Sequence, residues 1–315
     1  MNSELVSVII PTYKRPDMLR EAIQSVKAQD YPFIEIIVVD DCSDDNTKQV
    51  VNDFPDVQYY CNDKNKGPGY SRKFAFLACK GNYVVFLDDD DYYTDSTFFS
   101  KAMDHMQEND YAFVGANAHI LEENGTISIS NLNLRGSLES IEYLSGFPFK
   151  NKKPHSTFTT VFSKEHLLKV GLADMEMVND MAIYMRSLIN GKIYLMDDDI
   201  GVYRMHNNNI SKKIDGDFLI KNLEEKLAIY SIIKNDLRNI DHQLWWLEQI
   251  KITVSYYVYG SHPTMSEFKV IKRWCEQNSL SNPYVEKLLK QYSSYLIDYR
   301  ICKLKSKIKK AFGIN

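Results

Sequence analysis

Four consecutive aspartates, Asp88 to Asp91, close the apolar run Tyr83-Val84-Val85-Phe86-Leu87 in the segment YVVFLDDDDYY. Adjacent carboxylates repel one another and raise each other's pKa, so such a cluster calls for a compensating cation, most often a divalent metal on hard oxygen ligands. A β-branched and aromatic run that stops in acid reads as a buried strand delivering carboxylates at its C-terminal end, where open α/β sheets bind ligands. On the run alone a second reading stands beside this one: a solvated turn feeding a helix capped by Thr94, Asp95 or Ser96. A second strand-like run ends the same way, in IIVVDDCSDDN with Asp40 and Asp41 at its tip. The first ends in Pro11-Thr12-Tyr13, and the third is followed by Lys64-Asn65-Lys66-Gly67 and then by Ser71 and Arg72 at a helix start. Loops at the C-terminal edge of one parallel sheet line a shared crevice.

The elements that must position these residues alternate. Leu5 to Ile10 is strand-like, and Leu19, Ala22, Ile23 and Val26 then mark one face of a helix. The cycle repeats with a strand over 34–39, a helix over 44–54, a strand over 57–61, a helix over 67–79 and the strand that carries the acidic run. This is an α/β pattern with a doubly wound, largely parallel sheet. Beyond Tyr93 the expected elements are a helix over 98–107, a strand over 111–119, a turn at 122–125, a strand over 158–162, helices over 164–170 and 180–189, and strands over 192–196 and 200–205. Asp197, Asp198 and Asp199 join the last two at hairpin spacing and read as a turn. The first domain is expected to run over 1–211, with a nucleotide-binding half at 1–93 and an acceptor half at 94–211. Residues 212–315 read as helices throughout, packed onto that domain.

Composition narrows the class. A chain of 315 residues with 44% apolar and 25% charged residues is long enough for one large or two smaller cores. No stretch approaches the roughly eighteen apolar residues needed to span a bilayer, and strand-like sequence begins at once, so a cytoplasmic protein without a signal peptide is expected. Five cysteines, at 42, 61, 79, 275 and 302, form no CxxC pair and read as small core residues rather than a disulfide or zinc framework. The net charge is −4, yet residues 296–315 carry six Lys and Arg against Asp298, a net of +5, so the remainder carries −9. That acidic body excludes strong general affinity for nucleic acid. Leu296, Ile297, Ile301, Leu304 and Ile308 line one side of this basic end, which is either a solvated helix or a peripheral contact with an anionic inner membrane leaflet.

As a set, VSVIIPTYKRP, IIVVDDCSDDNT, NKGPGYSRKFAF, YVVFLDDDDYY, VNDMAIYMRSLINGK and YRMHNNNIS closely resemble the family 2 glycosyltransferases of the bacterial surface or capsular polysaccharide type, inverting enzymes of the GT-A fold. The resemblance covers residues 5–211 and implies a GT-A type sheet with a helical C-terminal region. It implies that Pro11, Thr12 and Tyr13 lie along the nucleoside, that Asp41 binds the nucleobase, and that Arg72 is the basic partner of Asp41. Asp88 and Asp90 match the ends of the family's DXD motif, with Asp90 the direct ligand of Mn2+ or Mg2+, Asp89 at the variable position on the donor side, and Asp91 as support. Asp180 matches the aspartate that takes the acceptor's proton, although Asn179 stands where the family has glutamate, and Asp174 and Glu176 are the nearby candidates for that glutamate's role. His206, with Arg204, Asn207, Asn209 and Ser211, matches the loop that reaches the metal or the diphosphate.

The implied activity is metal-dependent transfer of one sugar from a nucleotide sugar, a UDP-sugar, to a hydroxyl on a glycan or lipid-linked acceptor. Removing the proton as the oxygen attacks suits a positioned carboxylate, and a divalent ion suits a departing diphosphate. Two alternatives are a nucleotide-binding partner subunit without activity, toward which Asn179 points, and a sugar-nucleotide pyrophosphorylase, which needs a glycine-rich loop where this chain has PTYKRP. The helical end is open to acceptor binding, a homodimer or membrane contact. Of the 21 tyrosines, Tyr92 and Tyr93 stand beside the acidic run as candidates for the site rather than the core.

Overall fold

A computed structural model describes residues 4–148, 150–176, 179–206, 215–235, 241–278 and 282–311. It divides into two compact units, Met1–Asn207 and Asn208–Asn315.

The first unit opens with β1 (Val6–Thr12), α1 (Pro16–Lys27), β2 (Ile34–Asp40), α2 (Thr47–Asn52), β3 (Gln58–Cys61), α3 (Pro68–Ala78) and β4 (Tyr83–Phe86). Every residue of β1 is buried, so its run of Val and Ile shows no alternation, as a strand covered on both faces should not. β1 lies between β2 and β4, parallel to both. Pro11 is tolerated in this central strand because it falls past the last pairing with β4, Ile9 opposite Phe86, where its missing N–H costs no bond on that side. Pro16 starts α1, and its buried stripe of Leu19, Ala22, Ile23 and Val26 packs into the sheet's core. Burial of each large member of that stripe is worth about 1.5–3 kcal/mol.

The register decides where the chemistry sits. Thr12 pairs opposite Asp40, Asp40 opposite Cys61, and the Leu87 N–H donates to the Ile9 carbonyl at 2.9 Å. The C-terminal ends of all four parallel strands therefore share one edge, and the acids at 40–41 and 88–91 meet there.

The rest of the unit adds β5 (Tyr92–Tyr93), α4 (Phe98–Glu108), β6 (Tyr111–Leu121), β7 (Ile127–Ile129), β8 (Gly136–Glu139), α5 (Ser140–Ser145), β9 (Thr160–Ser163), α6 (Lys164–Lys169), α7 (Asp180–Ser187) and β10 (Lys192–Arg204). The strand order is β3-β2-β1-β4-β9-β6-β10-β5, with β7 paired to β6 and β8 to β10. β9 runs antiparallel to both neighbours, while β6 and β10 are parallel. The sheet is thus mostly parallel, as expected, with antiparallel strands confined to its second half. Thr97 is the N-cap of α4, and the Asp95 carboxylate accepts from its N–H and hydroxyl, so one of the expected acids serves that helix start.

Three expectations are corrected. Asp197, Asp198 and Asp199 do not turn a hairpin: β10 is one strand whose two parts both run parallel to β6, with register shifts around Asp199. A bulge accommodates the extra residues, and Arg135 at 2.5 Å from Asp197 and Lys101 at 2.8 Å from Asp198 neutralise it. Tyr93 is core, its ring among Phe98, Phe99 and Phe158 and its hydroxyl donating to the Phe158 carbonyl at 2.8 Å. Of the cysteines only Cys79 and Cys275 are buried.

The second unit consists, among the described residues, of α8 (Gly216–Ile233), α9 (His242–Ser261), α10 (Met265–Asn278) and α11 (Pro283–Ala311). Its core stacks Tyr230 on Trp246, with ring centroids 5.3 Å apart, and encloses Lys226, whose Nζ donates to the Thr253 hydroxyl at 2.8 Å. No described helix is long and apolar enough to cross a membrane. The expected first-domain end at Ser211 lies outside the described residues.

Candidate active site

The four aspartates of the run take four different sets of partners. Asp88 forms an ion pair with Arg72 of α3. Asp89 turns back to the loop after β1, accepting from the Thr12 hydroxyl at 2.7 Å, the Tyr13 N–H at 3.4 Å and the Arg15 guanidinium at 2.9 Å. Asp90 accepts from the same Arg15 nitrogen at 2.6 Å and lies 2.9 Å from His206 Nε2. Asp91, fully buried, accepts from the Arg204 N–H at 3.1 Å and lies 3.5 Å from the Ser156 hydroxyl. Peptide geometry sends neighbouring side chains in different directions, which is how one short run reaches four elements.

Charge compensation is therefore mixed. Burial lifts the Asp89 carboxyl to about 7, with Arg15 opposing the rise and Asp90 adding to it. Burial together with the charges of Asp90 and Asp88 pushes Asp91 well above the usual carboxylate range. For Arg15, burial disfavours the cation, but Asp89 and Asp90 more than offset this. The arginines thus cover part of the negative charge and leave Asp91 under strong repulsion. Oxygen atoms of Asp88, Asp90 and Asp91 lie within 4.8 Å of one another, a grouping of hard donors that fits Mn2+ or Mg2+. His206 adds an imidazole nitrogen to Asp90, at the spacing of about 3 Å expected for two ligand atoms on one ion with bonds near 2.1 Å.

Arg72 is expected beside Asp41, and the structure pairs it with Asp88 instead. Asp41 accepts from the Lys66 and Gly67 N–H groups, each at 2.7 Å, and from the Asn62 amide at 2.8 Å. It fixes the loop that enters α3, where Gly67 at φ 84° takes a left-handed conformation open to glycine. Arg72 is only 5% exposed, and its Nε has no hydrogen-bond partner among the described residues. A buried donor without an acceptor marks a place where a polar ligand belongs. Pro11 pairs opposite Val39 in β1, and Tyr13 is 40% exposed, with the Lys14 ammonium 5.3 Å from its ring centroid.

Asp180 is the first residue of α7, and Asn179 is its N-cap, accepting from the Ala182 N–H at 2.9 Å. The residue that departs from the family pattern thus holds the helix start. The charges of Arg72, Asp91 and Lys153 all feel Asp180, so the helix brings it to the acidic cluster. No hydrogen bond or ion pair engages its carboxylate among the described residues. Asp174 and Glu176 are exposed.

Around this centre the structure gives Arg204, expected in the loop that reaches the metal or the diphosphate, its contacts, and adds Arg15 and Lys153, whose roles the sequence did not signal. Arg15 was legible only as part of PTYKRP. Its partners lie 74 and 75 positions away, and a cation in a strand-end loop facing an acidic run was the available hint. Arg204 sits over the Tyr92 ring at 4.3 Å, donates to the Asp90 carbonyl at 3.2 Å and pairs with Glu21 at 2.5 Å. Gly201 lets β5 approach, since a Cβ there would stand 2.5 Å from the Tyr92 carbonyl. Lys153 carried no signal at all. Asn207, Asn209 and Ser211 lie outside the described residues.

Comparison with known proteins is consistent with this geometry. The model of the family described as Glycosyl transferase family 2 matches residues 7–191. A Campylobacter jejuni protein named GalNAc(5)-diNAcBac-PP-undecaprenol beta-1,3-glucosyltransferase is 33% identical over 205 residues, 64% of either chain. The Escherichia coli UDP-Glc:alpha-D-GlcNAc-diphosphoundecaprenol beta-1,3-glucosyltransferase WfaP is 29% identical over 51% of this chain and 71% of its own. Among solved structures, S. aureus TarS residues 1–349 with UDP-GlcNAc superposes with a TM-score of 0.70 at 20% identity, covering 93% of this chain and 88% of that one.

Proposed function

Because the chain belongs to glycosyl transferase family 2, we propose that it moves one sugar from a UDP-sugar to a hydroxyl of a surface-glycan acceptor, with inversion at the anomeric carbon. The observation that carries the reading is the division among the carboxylates: Asp88 to Asp91 are all engaged, and Asp180 is not. A general base needs a lone pair free to take a proton. The names of relatives that act on diphosphoundecaprenol-linked sugars support an acceptor on a lipid carrier.

In this reading the acceptor oxygen attacks the anomeric carbon while Asp180 takes its proton, and the bond to the diphosphate breaks on the opposite face. The electron pair passes to the departing phosphate oxygen, where Arg72 and Arg15 supply fixed positive charge. A manganese or magnesium ion held by Asp90 and His206, with Asp88 and Asp91 in support, would neutralise the same developing charge. Thr12, Asp89 and Asp41 hold the loops that line the nucleoside, and Tyr13 covers it. Capping by Asn179 keeps Asp180 in register.

The test is a panel of nucleotide sugars with manganese and a surrogate hydroxyl acceptor, with chelator as control and product configuration read by NMR. Metal-dependent release of UDP and a product of inverted configuration are expected. Undiminished activity in excess chelator, or a retained configuration, would overturn the reading.

The same proposal includes a peripheral contact with an anionic leaflet. Ile297, Ile301 and Leu304 are exposed at helical spacing on α11, alongside exposed Arg300, Lys303 and Lys305. Each basic residue at such a surface contributes roughly 1 kcal/mol. The side chains of Lys307, Lys309 and Lys310 lie outside the described residues.

A further inference from the structure

Lys153 is a cation of the first unit with no carboxylate within ion-pair distance among the described residues. Lys153 is half-buried, and its Nζ donates to the carbonyl oxygens of Pro154 at 2.9 Å and His155 at 2.5 Å. It stands 5.3 Å from the centroid of the Tyr184 ring. Two of the three N–H donors of the ammonium are thereby used. Unlike Arg15 and Arg72, Lys153 has no carboxylate within ion-pair distance among the described residues. Carbonyl dipoles and an aromatic face soften the cost of taking a cation out of water but do not remove it. Burial lowers its pKa, and Asp180 is the charge that opposes the fall.

Its position ties this deficit to the attacking side of the reaction. Tyr184 lies one turn beyond Asp180 on α7, and its hydroxyl donates to the Ser156 carbonyl at 3.0 Å and lies 2.6 Å from the Thr160 hydroxyl. Ser156 reaches Asp91, and the Thr157 hydroxyl donates to the Phe86 carbonyl at 3.0 Å. Residues 153–157 thus form a strap from α7 to the end of β4. At the strap's centre the His155 ring packs edge-on against Tyr203, with centroids 4.5 Å apart, one residue before Arg204. An ammonium with one N–H left over after two carbonyl acceptors can take a ligand oxygen.

We propose that Lys153 binds an anionic group of the acceptor, a phosphate or diphosphate close to the attacked hydroxyl, and so sets the acceptor's charge class. The inference rests on Asp180 as the acceptor-side base. A phosphate oxygen would accept the third N–H and supply the missing negative charge. Charge-assisted bonds of this kind contribute about 1.5–3 kcal/mol, which corresponds to roughly a 10- to 150-fold change in affinity.

The experiment uses the full chain saturated with UDP and manganese, so that the donor site is filled, and titrates decyl diphosphate by calorimetry, with neutral decyl glucoside as control. Lys153→Gln should weaken decyl diphosphate binding at least tenfold and leave the control unchanged. Lys153→Arg should restore most of the affinity, and Asp180→Asn, which removes a neighbouring negative charge, should tighten it. Inorganic diphosphate distinguishes the sources: weaker binding than the decyl ester assigns the anion to a lipid carrier, and equal binding assigns it to the glycan. Equal affinity in wild type and Lys153→Gln would overturn the proposal. A loss that Lys153→Arg fails to restore would also overturn it, marking Lys153 as a strut to two carbonyls. Failure to bind UDP with manganese would instead count against the reading of the donor site.

Discussion

Two regions of the first unit, the strand ends of its first half and the surroundings of the α7 start, handle charge in opposite ways. At the strand ends of the first half, each acid meets an internal partner: Asp88 meets Arg72, Asp89 and Asp90 meet Arg15, and Asp41 meets two backbone N–H groups. In the second half Asp180 and Lys153 share a neighbourhood without an ion pair between them, and neither has a charged partner of its own among the described residues. A densely paired network is rigid and suits a donor that must be held in one pose. Uncommitted groups suit the step in which a proton moves and a second substrate docks. On the proposed function, the same contrast should separate residues whose loss weakens donor binding from those whose loss stops transfer.

Mutations that break the contrast should differ in size. Asp90→Ala removes an acid shared by Arg15, His206 and the candidate metal, and metal-supported UDP binding by calorimetry should weaken about 100-fold or more. Unchanged affinity would remove Asp90 from the site. Arg72→Met removes the ion pair to Asp88 and the buried Nε that has no partner among the described residues, so UDP should bind roughly 10- to 100-fold less tightly. Equal affinity would mean that Arg72 only braces α3.

Asn179→Ala should cost about 1 kcal/mol of stability, the usual value of a lost N-cap, and should lower kcat more than it raises the donor KM. A change confined to the donor KM would show that the cap does not serve the base. The smallest effect on catalysis is expected far from the chemistry, at Lys226. Burial lowers its pKa to about 7, against about 10.4 in the unfolded chain. Between those values the unfolded state holds more protons, so this group makes stability rise from pH 7 to pH 10, with its full penalty present below pH 7. Lys226→Met should therefore raise Tm at pH 7 and flatten that rise, as melting curves across the window would show. An identical pH slope in both proteins would contradict the buried neutral amine.

Much of this was legible because the first half writes its structure locally. β1, β2 and β4 are mostly apolar runs, α1 is a four-residue stripe, and the acids fall where parallel strands stop. The second half is held by pairings far apart in the chain. β5 has two residues and exists only by pairing with Gly201 and Val202. Three consecutive aspartates carry the chemistry of a turn, and only the shared parallel partner β6 makes them a bulge. The site divides in the same way: Asp88 to Asp91 announced themselves by density, and Asp180 through its motif. Arg15 and Lys153 acquire meaning from neighbours brought in by the fold, and no spacing rule connects Lys153 to Tyr184.

The division of labour is tested most directly by Asp180→Asn, with UDP-sugar affinity and transfer rate measured on the same preparation in the presence of manganese. Donor affinity should stay within about twofold of wild type, while transfer falls by about 10²- to 10⁴-fold, the usual contribution of a general base. Transfer at the wild-type rate, or a parallel loss of donor binding, would contradict the assignment of binding to the paired acids and proton removal to the unpaired one.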